Sequence, residues 1–471
     1  MTTASMAYAS IEHTLTALHN ADTTSETLVA NQLARIDAFD GKLHAYLDVY
    51  RDEALRAAQG LDTLRRAGYT VGPLHGVTIA IKDLFEIEGR PITAGSKALA
   101  PRVSTITATT VARLRAAGAI ILGKTHTVEF AFGGWGTNTT MGTPWNPWDL
   151  AVHRIPGGSS SGSAVAVAAG MACAALGTDT GGSVRIPAGL CGLVGLKTTH
   201  GLISRHGLIE LCPTHDTVGP ITHTVRDCAL LLDVLAGPDA KDHESRHSPS
   251  RSVTAGLDND VRGTRVWILP ASERMDVDPE VLGAYDRALQ VFQALGMSLV
   301  ERPLPQSLTE SMRMAGSLMS AEGYANLGAL FEREGLEFDP NIQRRILLGR
   351  SMGAAQYIDL LREREGAKAA MVEAMDGVDV CVFPTNAITA IPVSEVDELA
   401  TPLSRFGRFV NLLNLCSVAL PAGLSLAGLP ISIQIIGRAF AEPKVLRTAY
   451  AFERATAWNQ AHPQGLLDCT H

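Results

Sequence analysis

Two glycine- and serine-rich stretches dominate this sequence: GGSSSGSA at residues 157–164 and LGTDTGGSVRIPAGLCGLVGLKTT at residues 176–199. The residues between them are small, and this pattern predicts a helix over residues 163–174 that packs closely against a sheet. The first stretch is not a phosphate-binding loop, because Ser163-Ala164 stands where such a loop needs Lys followed by Ser or Thr. Taken alone, the first stretch also fits a flexible Gly/Ser loop.

The second stretch favours a nucleophilic serine at position 183. A serine that attacks a carbonyl carbon needs backbone N–H groups to hold the oxyanion, and glycines allow the tight turn that presents them. Thr180, Gly181, Gly182 and Ser183 itself are the predicted donors. The GxSxG turn of the α/β-hydrolases is absent because residue 185 is Arg, and no SxxK motif occurs. With no HExxH motif and no paired CxxC, the sequence predicts neither a metal nor a cofactor.

The sequence around these stretches alternates between strand and helix patterns. Val77–Ile81 is a short apolar run that ends at Lys82, residues 107–117 have a helical pattern, and residues 119–122 form another apolar run. Such an alternation predicts an α/β core.

The composition is that of an ordinary globular protein, since 46% of the 471 residues are hydrophobic and 19% are charged. The net charge is −8 and no run of Lys or Arg could neutralise a phosphate backbone, so we expect no nucleic-acid partner. No uncharged apolar stretch reaches the roughly 18 residues of a membrane span, and no secretory signal opens the chain. We therefore expect a cytoplasmic protein without a membrane partner. The seven scattered cysteines indicate reduced thiols.

Several blocks of the chain resemble the amidase-signature family. They are GVTIAIKD at 76–83, the two glycine-rich stretches and LPISIQIIGRAFAE at 429–442, in the family's order. The resemblance implies an α/β protein with a single large α/β/α domain over residues 1–471, in which helices cover a mixed central β-sheet. Within that domain we expect an N-terminal helical segment at 1–70, and a variable linker and helical cap region at 238–375.

The resemblance also implies roles for individual residues. The nucleophile is Ser183, the bridging serine is Ser159, preceded by a cis peptide bond, and the base is Lys82. A lysine can act as a base only when it is neutral, and burial behind the apolar strand would lower its pKa from the ordinary value of about 10.4. Asp179 and Arg185 flank the nucleophile, and we expect them to pair and to brace the loop rather than to react.

Four further residues are candidates for the substrate pocket. Gly133, Gly134 and Trp135 belong to the turn after the EFA block, which lines the acyl pocket in the family, and Trp135 could form a pocket wall or a partly buried surface aromatic. Asn411 lies in an apolar run and could line the same pocket or hydrogen-bond the backbone.

The reaction implied by the resemblance is hydrolysis of a C–N acyl bond through a Ser183 acyl-enzyme. Glutamine-hydrolysing subunits of the family carry an acidic residue where this chain has Ser404-Arg405, and a cation there would repel an α-ammonium. We therefore predict a stand-alone amidase for a small-molecule amide or carbamate with a neutral acyl group, and we leave a homodimer open. The alternatives are the glutamine-hydrolysing subunit of a tRNA-dependent amidotransferase complex, and a non-catalytic binding protein on the same fold.

Overall fold

One mixed β-sheet organises the molecule. The computed structural model describes residues 6–99, 102–249 and 252–466. Within these residues the sheet has 11 strands. In chain order they are β1 (Tyr46–Val49), β2 (Thr78–Lys82), β3 (Ile120–Thr125), β4 (Ala174–Asp179), β5 (Val194–Lys197), β6 (Thr217–Thr222), β7 (Arg265–Ile268), β8 (Ser298–Glu301), β9 (Val380–Pro384), β10 (Cys416–Leu424) and β11 (Pro430–Gly437).

The sheet contains both parallel and antiparallel pairs, and its spatial order is β1-β3-β2-β4-β6-β5-β10-β11-β9-β7-β8. β2 is parallel to both of its neighbours, β3 and β4. The pairs from β4 through β6, β5, β10 and β11 to β9 are antiparallel. The last strands, β9, β7 and β8, are again parallel. The predicted mixed α/β architecture is therefore confirmed.

Both faces of the sheet are covered by helices. Successive side chains of one strand accordingly pack into two different apolar clusters. Ile79 and Ile81 of β2 pack into one apolar cluster, whereas Ala80 between them packs into another. The α-helices of the described chain include Ile11–His19, Ser25–Leu43, Arg51–Arg66, Thr109–Ala116, Ser161–Ala168, Arg185–Leu190, Val225–Leu235, Pro279–Ala294, Leu308–Phe331, Pro340–Leu347, Ala354–Ala374, Arg408–Leu412 and Glu442–Thr456.

The helix of small residues between the two glycine-rich stretches is buried along its whole length. It spans Ser161–Ala168, so the prediction of a helix over 163–174 is too long at its C-terminal end. The chain turns at Gly170, whose φ is +66°. A Cβ on Gly170 would also lie 2.8 Å from the Ala7 carbonyl oxygen, so glycine fits this turn best. The turn leads into β4, which ends at the turn that carries Ser183, the predicted nucleophile.

Two strands lie within the segment that was predicted to be a linker and cap. These strands are β7 and β8, and they extend the central sheet beyond β9. The helices at Leu308–Phe331, Pro340–Leu347 and Ala354–Ala374 follow them. The predicted N-terminal helical segment also contains a strand, β1, after its first two helices.

No helix among the described residues is long and apolar enough to cross a membrane. Six cysteines lie within the described residues, and all are buried and free. Cys469 lies outside those residues.

Candidate active site

Lys82 is the last residue of β2, and its side chain is completely buried. Its Nζ donates hydrogen bonds to Ser159 Oγ at 2.8 Å, to Ser160 Oγ at 3.0 Å and to Thr178 Oγ1 at 2.8 Å. All three partners are neutral hydroxyls. The lysine therefore lies in a polar but uncharged cradle. We call Lys82, Ser159, Ser160, Thr178 and Ser183 the catalytic corner, after the roles that the family resemblance predicts for Lys82, Ser159 and Ser183.

The surroundings of Lys82 favour its neutral form. Burial lowers the pKa of Lys82 to about 7, although the negative charges of Asp216 and Asp179 oppose the shift. A buried ammonium is costly because it loses its hydration. At neutral pH a large fraction of Lys82 is therefore a free amine that can accept a proton.

Ser159 is held through its backbone. Its carbonyl oxygen accepts hydrogen bonds from Thr127 Oγ1 at 2.9 Å and from the Val128 N–H at 3.1 Å. The Gly158–Ser159 peptide bond is cis. These contacts leave the Ser159 hydroxyl directed towards Lys82.

Ser183 lies in the turn between β4 and the helix Arg185–Leu190, and it is 6% exposed. The Ser160 N–H donates to the Ser183 carbonyl oxygen at 3.2 Å, so the two serine-bearing loops are in direct contact. Within the described residues no hydrogen bond joins the hydroxyls of Ser183 and Ser159. Catalytic hydrogen bonds of this kind commonly tighten when substrate binds.

The Asp179 carboxylate shapes the turn that carries Ser183. It accepts hydrogen bonds from the N–H groups of Gly182 at 2.7 Å and Val184 at 3.1 Å. The N–H groups of Gly181 and Ser183 have no acceptor in the part of the chain that the structure describes. Of the predicted oxyanion donors, these two and Thr180, whose N–H likewise has no acceptor among the described residues, are therefore free to receive a ligand oxygen, whereas the Gly182 N–H is engaged.

Asp216 supports the same turn from the other side, although the sequence analysis assigned it no role. Its Oδ1 accepts a hydrogen bond from Thr180 Oγ1 at 2.5 Å, and its Oδ2 accepts from the N–H groups of Leu211 at 2.8 Å and Cys212 at 3.0 Å. Burial raises the pKa of Asp216 to about 6, and the Thr180 hydroxyl opposes this rise. Asp216 therefore joins the loop before β6 to the nucleophile turn.

Asp179 and Arg185 form a buried bidentate ion pair, with Arg185 Nε and Nη2 each 3.0 Å from a carboxylate oxygen. Burial alone would raise the pKa of Asp179, but the Arg185 guanidinium holds it well below its ordinary range. Arg185 also donates to Asn411 Oδ1 at 2.8 Å, and Asn411 Nδ2 donates to the Asp179 carbonyl oxygen at 2.8 Å. The structure thus places Asn411 behind the nucleophile turn, where it supports the ion pair.

A cavity that is open to solvent lies at Ser183, and we call it the Ser183 cavity. Gly133, Gly134 and Trp135 line it, which places these three pocket candidates beside Ser183; Asn411 is not among its described lining residues. The residues that line the cavity are Ala131, Phe132, Gly133, Gly134, Trp135, Gly181, Ser183, Ile186, Met319, Arg345, Thr401, Leu403, Ser404 and Arg408.

The charge at the Ser183 cavity differs from the sequence-based expectation. Arg405 does not line the described cavity, because its guanidinium turns towards Glu273 at 3.6 Å and Asp276 at 3.7 Å. The cations that do line it are Arg345 and Arg408. Neither residue belongs to a motif, so the sequence offered no signal that would bring them to this site.

Three buried potential metal ligands, Cys212, His215 and Glu322, lie close together, with donor atoms all within 4.8 Å of one another. Glu322 is already hydrogen-bonded, since it accepts from Thr214 Oγ1 at 2.6 Å and from Cys212 Sγ at 3.3 Å. The group therefore needs no ion to satisfy its carboxylate. That the reaction needs no metal stays a prediction.

The fold and the comparisons with known proteins together define a class: the protein is a hydrolase of carbon–nitrogen bonds other than peptide bonds. The chain belongs to the amidase family, the amidase-signature enzymes, because the family model described as Amidase matches residues 27–446. This result confirms the resemblance seen in the sequence, and it speaks against the non-catalytic alternative.

Individual relatives cover almost the whole chain. The chain is 40% identical to a subunit of the glutamyl-tRNA(Gln) amidotransferase of Geobacter metallireducens, over 91% of this chain and 93% of that protein. A solved structure of peptide amidase from Stenotrophomonas maltophilia is 30% identical, with a TM-score of 0.84 over 95% of this chain and 97% of that chain. A structure of a vestigial protein complex, reported to reveal the evolutionary origins of an s-triazine catabolic enzyme, is 29% identical, with a TM-score of 0.89 over 95% of this chain and 99% of that chain.

These relatives overturn the predicted partners. From the sequence we expected a lone enzyme or homodimer with a small-molecule substrate and no nucleic acid. The relatives at 36–40% identity are instead subunits of an amidotransferase named for a tRNA. The prediction failed because it relied on the absence of a basic run in this chain, and a subunit within a complex does not need to contact the nucleic acid through such a run.

Proposed function

We propose that the protein hydrolyses an amide through an acyl-enzyme on Ser183, with Lys82 as the base and Ser159 as the bridging group. One observation carries the proposal: Lys82 Nζ is completely buried and lies 2.8 Å from Ser159 Oγ. Its hydrogen-bond partners among the described residues are three hydroxyls. Because its pKa lies at about 7, the amine can accept a proton at neutral pH.

The reaction begins when Ser183 Oγ bonds to the carbonyl carbon of the amide. The Ser183 proton passes to Ser159, whose own proton passes to Lys82. The N–H groups of Gly181 and Ser183 stabilise the oxyanion. The C–N bond then breaks, and the leaving nitrogen takes the proton back from Lys82 through Ser159. A water molecule attacks the acyl-enzyme by the same proton route, which releases the acid and restores Ser183.

The experiment is an amide panel read by ammonia or amine release, with wild type, Ser183→Ala and Ser161→Ala. Ser161 is the matched control, because it is a buried serine at the start of the neighbouring helix Ser161–Ala168, and its Oγ has no hydrogen-bond partner in the described chain. We expect Ser161→Ala to retain activity within about threefold, and Ser183→Ala to lose it while staying folded. Wild-type turnover by Ser183→Ala would overturn the mechanism.

A second candidate places this site in a larger assembly, as the glutamine-hydrolysing subunit of a tRNA-dependent amidotransferase. The observation in its favour is the identity of 36–40% to the corresponding subunits of glutamyl-tRNA(Gln) amidotransferases, over more than nine-tenths of this chain. In that setting the ammonia released at Ser183 would be used by another subunit.

Reconstitution with the remaining subunits of a glutamyl-tRNA(Gln) amidotransferase tests this candidate. We expect glutamine-dependent conversion of glutamyl-tRNA to its amidated form, and loss of that conversion with Ser183→Ala. A chain that neither binds those subunits nor supports the conversion, although it cleaves amides alone, would contradict the candidate and leave the amidase proposal intact.

A further inference from the structure

The two arginines of the Ser183 cavity differ in how their charge is compensated. Arg345 forms an ion pair with Glu398, Nη2 to Oε2 at 2.7 Å, and its Nη1 donates to the Phe132 carbonyl oxygen at 2.8 Å. Arg408 forms no ion pair with any residue in the described ranges. Its one hydrogen bond to the protein there is a long one, from Nη1 to the Met312 carbonyl oxygen at 3.5 Å.

Two glycines make room for the Arg408 side chain beside the nucleophile turn. A Cβ on Gly181 would lie 3.1 Å from Arg408 Cγ, and a Cβ on Gly316 would lie 3.4 Å from its Nη1. The aliphatic stem therefore runs along the turn that carries Ser183, and the guanidinium reaches the helix Leu308–Phe331. Arg408 and Ser183 line the same cavity.

An uncompensated guanidinium in this position is costly for the protein. Arg408 is half-buried in the cavity wall, and this partial withdrawal from water lowers its pKa to about 10; the nearby charge of Arg345 adds to the shift. A charge that is withdrawn from water is stabilised when an anion and matching hydrogen bonds become available. Here the described residues supply no anion to Arg408, but a ligand that enters the cavity could bring an anionic group.

We propose that Arg408 binds a carboxylate on the acyl part of the amide substrate, and this proposal rests on the amidase function of Ser183. The planar fork of a guanidinium matches the two oxygens of a carboxylate. The substrate class is therefore an amide whose acyl chain ends in a carboxylate. The proposal departs from the sequence-based prediction of a neutral acyl group, and the experiment below decides between them.

Such a carboxylate could belong to a simple dicarboxylic acid monoamide or to an amino acid with a side-chain amide. The described residues that line the cavity include no Asp or Glu that could receive an ammonium group. An ammonium would instead meet Arg345 and Arg408. We therefore expect glutaramate, which has no ammonium, to be cleaved at least as well as glutamine.

The test compares substrates of matched length: glutaramate with pentanamide, and succinamate with butanamide. Wild type, Arg408→Gln and Arg405→Gln are assayed for kcat/KM on each pair. Arg405 is the control, because it is three residues away but lies outside the cavity and faces Glu273 and Asp276. A charge-assisted hydrogen bond to a carboxylate corresponds to about a 10- to 100-fold preference.

We expect wild type and Arg405→Gln to prefer each acid amide by about 10- to 100-fold, and Arg408→Gln to lose that preference. Its loss of kcat/KM on each acid amide should exceed its loss on the matched neutral amide by at least about tenfold. Equal loss on acid and neutral amides would show that Arg408 only supports the fold of the turn, and this would overturn the proposal. A wild-type preference for the neutral amides would also overturn it.

A binding measurement separates this proposal from the proposed mechanism. Isothermal titration of Ser183→Ala with glutaramate should show binding, and the same titration of Ser183→Ala/Arg408→Gln should show at least about tenfold weaker binding. Equal affinities would overturn the role of Arg408 even if Ser183 is the nucleophile. If Ser183→Ala retains full activity but the affinities differ as expected, the mechanism fails and the carboxylate site stands.

Discussion

The catalytic corner and the Ser183 cavity lie side by side, and each contains a basic side chain. The two side chains differ in whether the protein supplies their polar partners. In the catalytic corner, Lys82 is surrounded by hydroxyls that the protein itself supplies. In the cavity, Arg408 has no protein anion among the described residues. The first region is therefore complete within the chain, whereas the second is completed by a ligand.

The two regions also differ in where their residues come from. The catalytic corner uses the ends of β2 and β4 and the two glycine-rich loops, which pack against one another. The cavity adds Met319, Arg345 and residues 401–408, which are far away in sequence. Variation in such peripheral segments can change the substrate without disturbing the reaction.

Replacement of Lys82 has the largest effect expected in the catalytic corner. Lys82→Ala removes the proton acceptor, so kcat/KM should fall by about 10³-fold, and Lys82→Arg should fail as well because a guanidinium stays protonated. In wild type kcat/KM should rise with pH through about 7, because Lys82 must lose its proton to act. Near-normal activity of Lys82→Ala would contradict the assignment.

Loss of the ion pair behind the turn should affect stability next most strongly. Arg185→Met leaves the buried Asp179 carboxylate without its cation, and we expect the free energy of unfolding to fall by about 3–5 kcal/mol. The control is Arg262→Met, which breaks an exposed, solvent-screened pair with Asp260 and should cost far less. Urea unfolding measures both; equal costs would contradict the bracing role.

The stabilising effect of Asp179 should also depend on pH. Its folded-state pKa is depressed, so its contribution is complete above the ordinary carboxyl pKa of about 4. The contribution is lost as the pH falls towards the lower folded-state value. Wild type should therefore lose stability in this acid range, and Asp179→Asn should lose less.

In the cavity, a smaller effect is expected from Trp135→Phe. The change removes the hydrogen bond from Trp135 Nε1 to the Ala400 carbonyl oxygen, at 3.2 Å, and so loosens the segment that carries Arg408. We expect KM to rise by a few-fold, consistent with about 1 kcal/mol for one hydrogen bond, and kcat to change little. Trp148→Phe is the control, because it removes a hydrogen bond to Cys191 outside the described cavity lining. An equal rise in KM for both variants would contradict the cavity role.

The smallest effect expected is a shift of the pH profile in Asp216→Asn. The Asp216 carboxylate raises the pKa of Lys82, so its removal should lower that pKa and move the activity limb to lower pH by less than about one unit. The shift requires ionised Asp216, whose own pKa is about 6. A shift towards higher pH would contradict this electrostatic link.

The catalytic corner could largely be predicted from the sequence, because its residues lie in contiguous motifs at the ends of apolar strands. The structure brings Lys82 and Ser159 together as the motifs implied. The hydroxyl of Thr178 beside Lys82 was not predicted, because its position depends on the register of β2 and β4. The hydrogen bond from the Gly182 N–H to the Asp179 carboxylate was not predicted either, because it depends on the path of the turn in three dimensions.

The cavity and parts of the sheet could not be predicted, because they depend on contacts between distant segments. Arg408 has no motif, and only tertiary packing brings it to Ser183. Strand β6, TVGPIT, was missed because its Gly and Pro break the usual strand pattern. A single domain over residues 1–471 stays a proposal, supported by the pairing of β7 and β8 in the same sheet.

The most direct test of the central claim is peptide mapping of the enzyme quenched in acid during turnover of an activated ester, for which release of the acyl group is slow. We predict that the peptide containing Ser183 gains the mass of the acyl group, and that Ser183→Ala gains none. An acyl group on another residue, or no acyl group on the wild-type enzyme at steady state, would contradict the account.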